Sequence, residues 1–205
     1  MRAALGATLL ALAFAIGSGC GGGSGTPDPE NPAEALTAEG WTLFESGNFT
    51  GAKSRFRDAI AASNTFADAH NGLGWSLAFL DSLDSAQRAF SSAITNAASG
   101  GEAHAGRAFV RAETDSDALA LALADAATAL TRAPLFVFSH DATIDWRDVR
   151  LLRAQLFFAL GAIDSSAAEV DLLDGALPDA SDPGFADSLA AEIERIGAAA
   201  APPAL

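Results

Sequence analysis

Residues 40–60 and 74–94 carry one pattern twice, offset by thirty-four positions. Gly40-Trp41 recurs as Gly74-Trp75, and Leu43 recurs as Leu77. Ala52, Phe56, Ala59 and Ile60 recur as Ala86, Phe90, Ala93 and Ile94. A further copy starts where Ala67-Asp68-Ala69-His70-Asn71-Gly72 is echoed by Gly101-Glu102-Ala103-His104-Ala105-Gly106. A fixed period of this length predicts a stacked array, because each unit can bury its apolar face only against its neighbours. Such an array presents an extended surface, so the expected work is holding a partner.

Composition narrows the partner. The net charge is −14 over 205 residues. No cluster of Lys and Arg is available to displace counterions from phosphate, which argues against nucleic acid. The acidic surplus also opposes attraction to an anionic membrane surface and favours a basic or apolar client. Half of the residues are apolar, enough for a sizeable core.

The spacing resembles the tetratricopeptide repeat (TPR), a helix-turn-helix unit of this length. In unit one the small residue of the first helix is Gly40, the turn is Gly47-Asn48-Phe49, and the second helix carries Ala52, Phe56 and Ala59-Ile60. In unit two these become Gly74, Asp81-Ser82-Leu83, Ala86, Phe90 and Ala93-Ile94. Small residues let paired helices approach, and the large one fills the space beside them. The departures are His70 and His104, where the family often has Trp, and the missing Pro at the ends of the first two units. Unit three starts at Gly101, and its second helix is two residues out of phase before Pro134 stops it. Leu135 to Asp145 reads as a loop whose Phe136 and Phe138 are too apolar for water and should pack over the array. Asp145, followed by Asp148, is the expected N-cap of unit four, which runs from Trp146 with Ala154 in its small slot. Phe185 to Ile196 is expected to form a capping helix. The resemblance implies an all-α fold: a right-handed α-solenoid of about four TPR-like helix-turn-helix units plus a C-terminal capping helix.

The N-terminus follows another rule. Met1-Arg2 precedes an apolar run from Ala3 to Ile16, and Gly17-Ser18-Gly19 precedes Cys20, the single cysteine. This is the layout of a secretory signal peptide, too short for a permanent span of about 20 residues. A lone Cys after small residues resembles the lipobox of bacterial lipoproteins, with Gly17 departing from the usual branched aliphatic residue. That resemblance implies lipidation at Cys20, and Gly21 after it resembles lipoproteins sorted to the outer membrane, facing the periplasm. Gly21 to Pro29 reads as a tether. The expected organisation is a signal peptide over 1–19, a lipidated Cys and flexible linker over 20–32, the solenoid over 33–197 and a disordered tail over 198–205.

Five aromatics are the candidate partner-binding residues: Trp41, Trp75 and Phe109 at one position of three successive units, with Phe44 beside Trp41 and Phe158 in the matching place of unit four. They would either anchor a bound peptide or helix or be covered by the loop at 135–138. His70 with Asp68, or His104 with Glu102, invites a metal reading that helix packing explains better, and His140-Asp141-Asp145 reads as a capping cluster. No nucleophile–base pair or phosphate loop is present, so no enzyme, cofactor or metal is expected. The chain therefore reads as an envelope-tethered, membrane-anchored adaptor binding a protein or peptide segment, or as a structural subunit of a larger envelope assembly.

Overall fold

A computed structural model describes residues 31–96, 100–114, 118–174, 177 and 180–200. The segment expected to be a signal peptide, Cys20, most of the expected linker and residues 201–205 of the expected tail lie outside the described residues. The elements are α1 (Pro32–Glu45), α2 (Phe49–Ala62), α3 (Ala67–Phe79), α4 (Leu83–Thr95), α5 (Glu102–Thr114), α6 (Leu119–Arg132), α7 (Trp146–Ala159), α8 (Ile163–Asp174) and α9 (Phe185–Ala200). They form four helix-turn-helix units and a closing helix, a right-handed TPR-like α-solenoid, as the resemblance to the tetratricopeptide repeat implies.

Each helix packs on its successor. In addition α1 meets α3, α3 meets α5 and α5 meets α7, whereas no such contact links α2 to α4, α4 to α6 or α6 to α8 among the described residues. The first helices of the units therefore crowd together on the inside of a curve, and the second helices fan out on its convex side. The odd-numbered helices α1, α3, α5 and α7 line the concave face.

The spacing of small and large residues explains how the units lock. Phe56 and Phe90 are fully buried. A methyl group on Gly40 would come within 2.6 Å of the Phe56 ring, and one on Gly72 would overlap that ring from the other side. Phe90 lies likewise between Gly74 and Gly106. Each Phe is thus a wedge between the first helix of its own unit and that of the next, a fit that requires glycine on both flanks. The turns repeat as well: Gly47 and Gly161 sit at positive φ, and Asp81 takes the equivalent place at φ 53°.

Unit three breaks the rule. Ala126 on α6 is buried where the phase-shifted pattern would place the wedge. A polar staple joins α5 to α6 instead. Asp125 is 4% exposed and accepts hydrogen bonds from Arg107 Nε at 2.8 Å and Nη2 at 2.6 Å, and from Arg111 Nη1. His104 Nδ1 stands 3.4 Å from its other side.

The C-terminal end differs from expectation. The capping helix continues past Gly197 to Ala200, and a methyl group at Gly197 would make only ordinary contact with Leu151 and Gln155 of α7. Leu189 and Ile193 of α9 pack with Leu151, Ala154 and Val170 in a second core cluster, taking the position of a further first helix. Helix α7 starts at the predicted cap: Asp145 accepts the Arg147 N–H at 2.6 Å, and Asp148 accepts the Asp145 N–H at 2.7 Å. Replacing Asp145 by alanine should lower stability by about 1 kcal/mol in chemical denaturation, with no change in helix count by circular dichroism.

Candidate functional site on the concave face

The segment between α6 and α7 turns back on itself as a hairpin. Phe138 N–H donates to Ile144 O at 2.9 Å, Trp146 N–H donates to Phe136 O at 2.7 Å, and Val137 and Asp145 form an isolated antiparallel bridge. Pro134 ends α6 and frees the chain to make this turn. Phe136 and Phe138, expected to pack over the array, are both buried. Phe138 stacks on Trp75 with centroids 4.3 Å apart and meets the edges of Trp41 and Phe44 at 6.0 and 5.8 Å. His140 lies flat on Trp41 at 3.6 Å and 5°, and its Nδ1 is 2.8 Å from Glu45 Oε1.

The five candidate aromatics are consequently divided. Trp41, Phe44 and Trp75 are no more than 5% exposed and lie beneath the chain's own hairpin. Phe109 is half-buried, 6.5 Å from Trp75, and faces a pocket of about 350 Å³ that remains open beside the hairpin. Phe158 does not join them; it packs with the cluster under α9, because that helix occupies the space where a fifth unit would extend the groove. The open pocket has a floor of Phe79, Leu83, Phe109 and Val110 and a wall of Ile144, and its charged lining is acidic, from Glu113 and Asp148. Asp148 is half-buried, and burial pushes its carboxyl up despite the bond from Asp145.

On the other side of the hairpin, Asp68 accepts the Trp41 Nε1–H at 3.1 Å. Burial pushes the Asp68 carboxyl above its ordinary range, the Trp41 bond opposing that shift. Glu102 accepts from Asn71 Nδ2 and from Ser139 N and Oγ. Neither carboxylate meets its neighbouring histidine. His70 Nε2 reaches Asn64 O, and His104 turns to Asp125. Among the described residues no group of three or more His, Cys, Asp or Glu is arranged to hold a metal. His140, grouped with Asp141 and Asp145 in the sequence, leaves that cluster for Trp41, while Asp141 accepts from Thr143 N and Oγ. Sequence reasoning missed His140 as a groove residue, since nothing in a loop histidine announces a ring stack across the fold.

His104 carries a pH signature. Burial lowers its pKa from the ordinary 6.5, with Asp125 opposing. The folded state therefore prefers the neutral ring. Its contribution is complete above 6.5 and is lost as pH falls from that value through the folded one. The melting temperature should drop over that window, and His104→Gln should flatten the decline.

No protein-family model matches the chain, and no curated protein matches it. Solved structures do. Over 83% of its length, and 79% of the other chain, it is similar to the crystal structure of YrrB, a TPR protein with an unusual peptide-binding site, with a TM-score of 0.62 and 15% identity. Pseudomonas aeruginosa PilF matches over 82% of this chain and 78% of its own, with a TM-score of 0.59 and 16% identity. TTC0263, a thermophilic TPR protein of Thermus thermophilus, matches over 80% and 83%, with a TM-score of 0.54 and 16% identity. These likenesses define the fold class as a TPR-type helical solenoid.

Proposed function

We propose that the protein is a non-enzymatic adaptor that docks a segment of another protein on its concave face, beside the 135–145 hairpin. The observation that carries this reading is the pocket faced by Phe109: an aromatic and aliphatic floor whose charged lining, among the described residues, is acidic, on the face where helical-repeat arrays present their groove. A segment with an apolar anchor and basic flanks fits both features. YrrB, described with a peptide-binding site, shares the architecture. The alternative, a subunit stacking by its solenoid ends, is less favoured because α9 already covers the C-terminal end of α7 and α8. The test is a photocrosslinking benzoylphenylalanine at position 109 in cells of the source organism. The adaptor reading expects a discrete adduct that a Glu113→Lys change diminishes; the absence of any adduct removes the docking face.

The same proposal places the adaptor in the bacterial envelope, exported and tethered by acyl chains on Cys20, most simply on the periplasmic side of the outer membrane. This rests on the lipobox-like layout of residues 1–20 and the Gly-rich tether after it. Fatty-acid labelling that is absent, or that persists in Cys20→Ser, would remove the anchor and leave the docking face untouched.

A further inference from the structure

The repeat lets one part of the groove be read against another. Phe56 lies between Gly40 and Gly72, and Phe90 between Gly74 and Gly106, so the first helices of units one to three correspond residue for residue at an offset of thirty-four. At that offset Trp41, Trp75 and Phe109 are equivalent, and so are Glu45, Phe79 and Glu113. In units one and three an aromatic ring is followed four residues on by a glutamate, which places both on one face of the helix. Unit two has Phe79 in place of the acid.

The pair in unit one is occupied by the chain itself. The His140 imidazole lies flat on Trp41, 3.6 Å between centroids and 5° from parallel, and its Nδ1 is 2.8 Å from Glu45 Oε1. Ring and acid together thus hold a planar group with a nitrogen at its edge. The pair in unit three is open. Phe109 and Glu113 both line the pocket of about 350 Å³ beside the hairpin. Among the described residues the one ring near Phe109 is Trp75, tilted by 53° at 6.5 Å. Glu113 is exposed, and its carboxylate makes no ion pair or hydrogen bond among the described residues. Arg107 and Arg111, the cations of the same helix, are held by Asp125 on α6 instead.

The unfilled pair matches a group of the same shape as the imidazole in unit one, carrying a charge to meet Glu113 and, across the pocket, Asp148. A guanidinium presents that flat face and an edge of N–H donors, and it stays charged at any ordinary pH. Where unit one sets Phe44 against the hairpin, unit two has Ala78, which lines the pocket and leaves room for a longer side chain. The methylene stem of an arginine can lie along Leu83 and Val110. Other chemistries fit less well. Lysine brings a compact charge with no flat face. An anion would face two carboxylates, and a neutral ring would leave both without a counter-charge.

We propose that Phe109 and Glu113 form a seat for an arginine side chain of the docked segment, on the same plan as the Trp41–Glu45 pair that His140 fills. This rests on the adaptor reading and names the residue that the segment's basic flank places in the pocket. The probe is N-acetyl-arginine methylamide, titrated at low salt into the full chain with isotopically labelled methyl groups. The citrulline and lysine analogues are its counterparts. The proposal expects saturable movement of the Leu83, Val110 and Ile144 methyl resonances with arginine, none with citrulline, and binding about threefold weaker with lysine. Glu113→Gln should weaken arginine binding about threefold. Phe109→Leu, which keeps an apolar floor without a flat ring, should weaken it by about the same factor. Glu113 is exposed, so its variant should fold; if Phe109→Leu loses helicity by circular dichroism, Glu113→Gln and the lysine comparison decide. Equal movement with citrulline, equal binding of lysine, no saturation with arginine, or an unaltered response in the folded variants overturns it. An adduct at position 109 with no arginine response removes the seat and leaves the adaptor. An arginine response with no adduct keeps the seat and discards the adaptor.

Discussion

Truncating Phe138 to alanine should destabilise the protein by about 3–5 kcal/mol, the range for a fully buried phenylalanine, and should uncover the groove. Phe138 touches Trp41, Phe44 and Trp75 at once, so it is the side chain that holds the hairpin in place. Denaturant unfolding measures the first effect. The second is read in a Trp146→Phe background, which leaves Trp41 and Trp75 as the only indoles. Acrylamide should then quench the variant far more than its parent. Loss of stability with unchanged quenching would mean that the hairpin stays docked without its central ring. Phe138→Leu should keep most of the stability, since a branched aliphatic side chain still fills much of the site.

The wedge between units two and three gives the other large effect. Phe90→Ala should cost about 3–5 kcal/mol, and Gly106→Ala about 1–3 kcal/mol or more through overlap with the same ring. The two changes are not independent. With the ring gone, the added methyl group has a cavity to enter, so the double variant should be more stable than the summed losses predict, by about 0.5–3 kcal/mol. Strict additivity in that cycle would show that Gly106 is small for some reason other than Phe90.

The repeat period makes these wedges legible. Gly40, Phe56, Gly74 and Phe90 stand out because a short-range rule, small facing large, recurs at a fixed interval. What the period does not encode is which residues of one unit meet the next, and so Gly72 and Gly106 are visible as echoes without a role. The loop at 135–145 is legible in part. Phe136 and Phe138, so close in sequence, require burial, but the place of burial depends on the curvature of three preceding units. His140, lying on Trp41, reaches Glu45 across ninety-five positions, a contact that no local pattern carries. Phe158 matches the groove aromatics by its position in unit four, while the neighbour that decides its surroundings is α9. The buried staple at Asp125 is equally hidden: in a helix rich in Ala and Leu, one acidic residue reads as a solvated position until Arg107 and Arg111 are found beside it.

The hairpin enters the chain after the third unit, yet it covers aromatics from the first two. A repeat array forms by pairing of neighbours, so a ribosome delivers the inner curve before it delivers the cover. Until residue 145 has emerged, Trp41, Phe44 and Trp75 have only the rings of their own array beside them and lack the cover of Phe138. An arrested chain ending near residue 132 should accordingly bind a hydrophobic dye that the finished protein rejects.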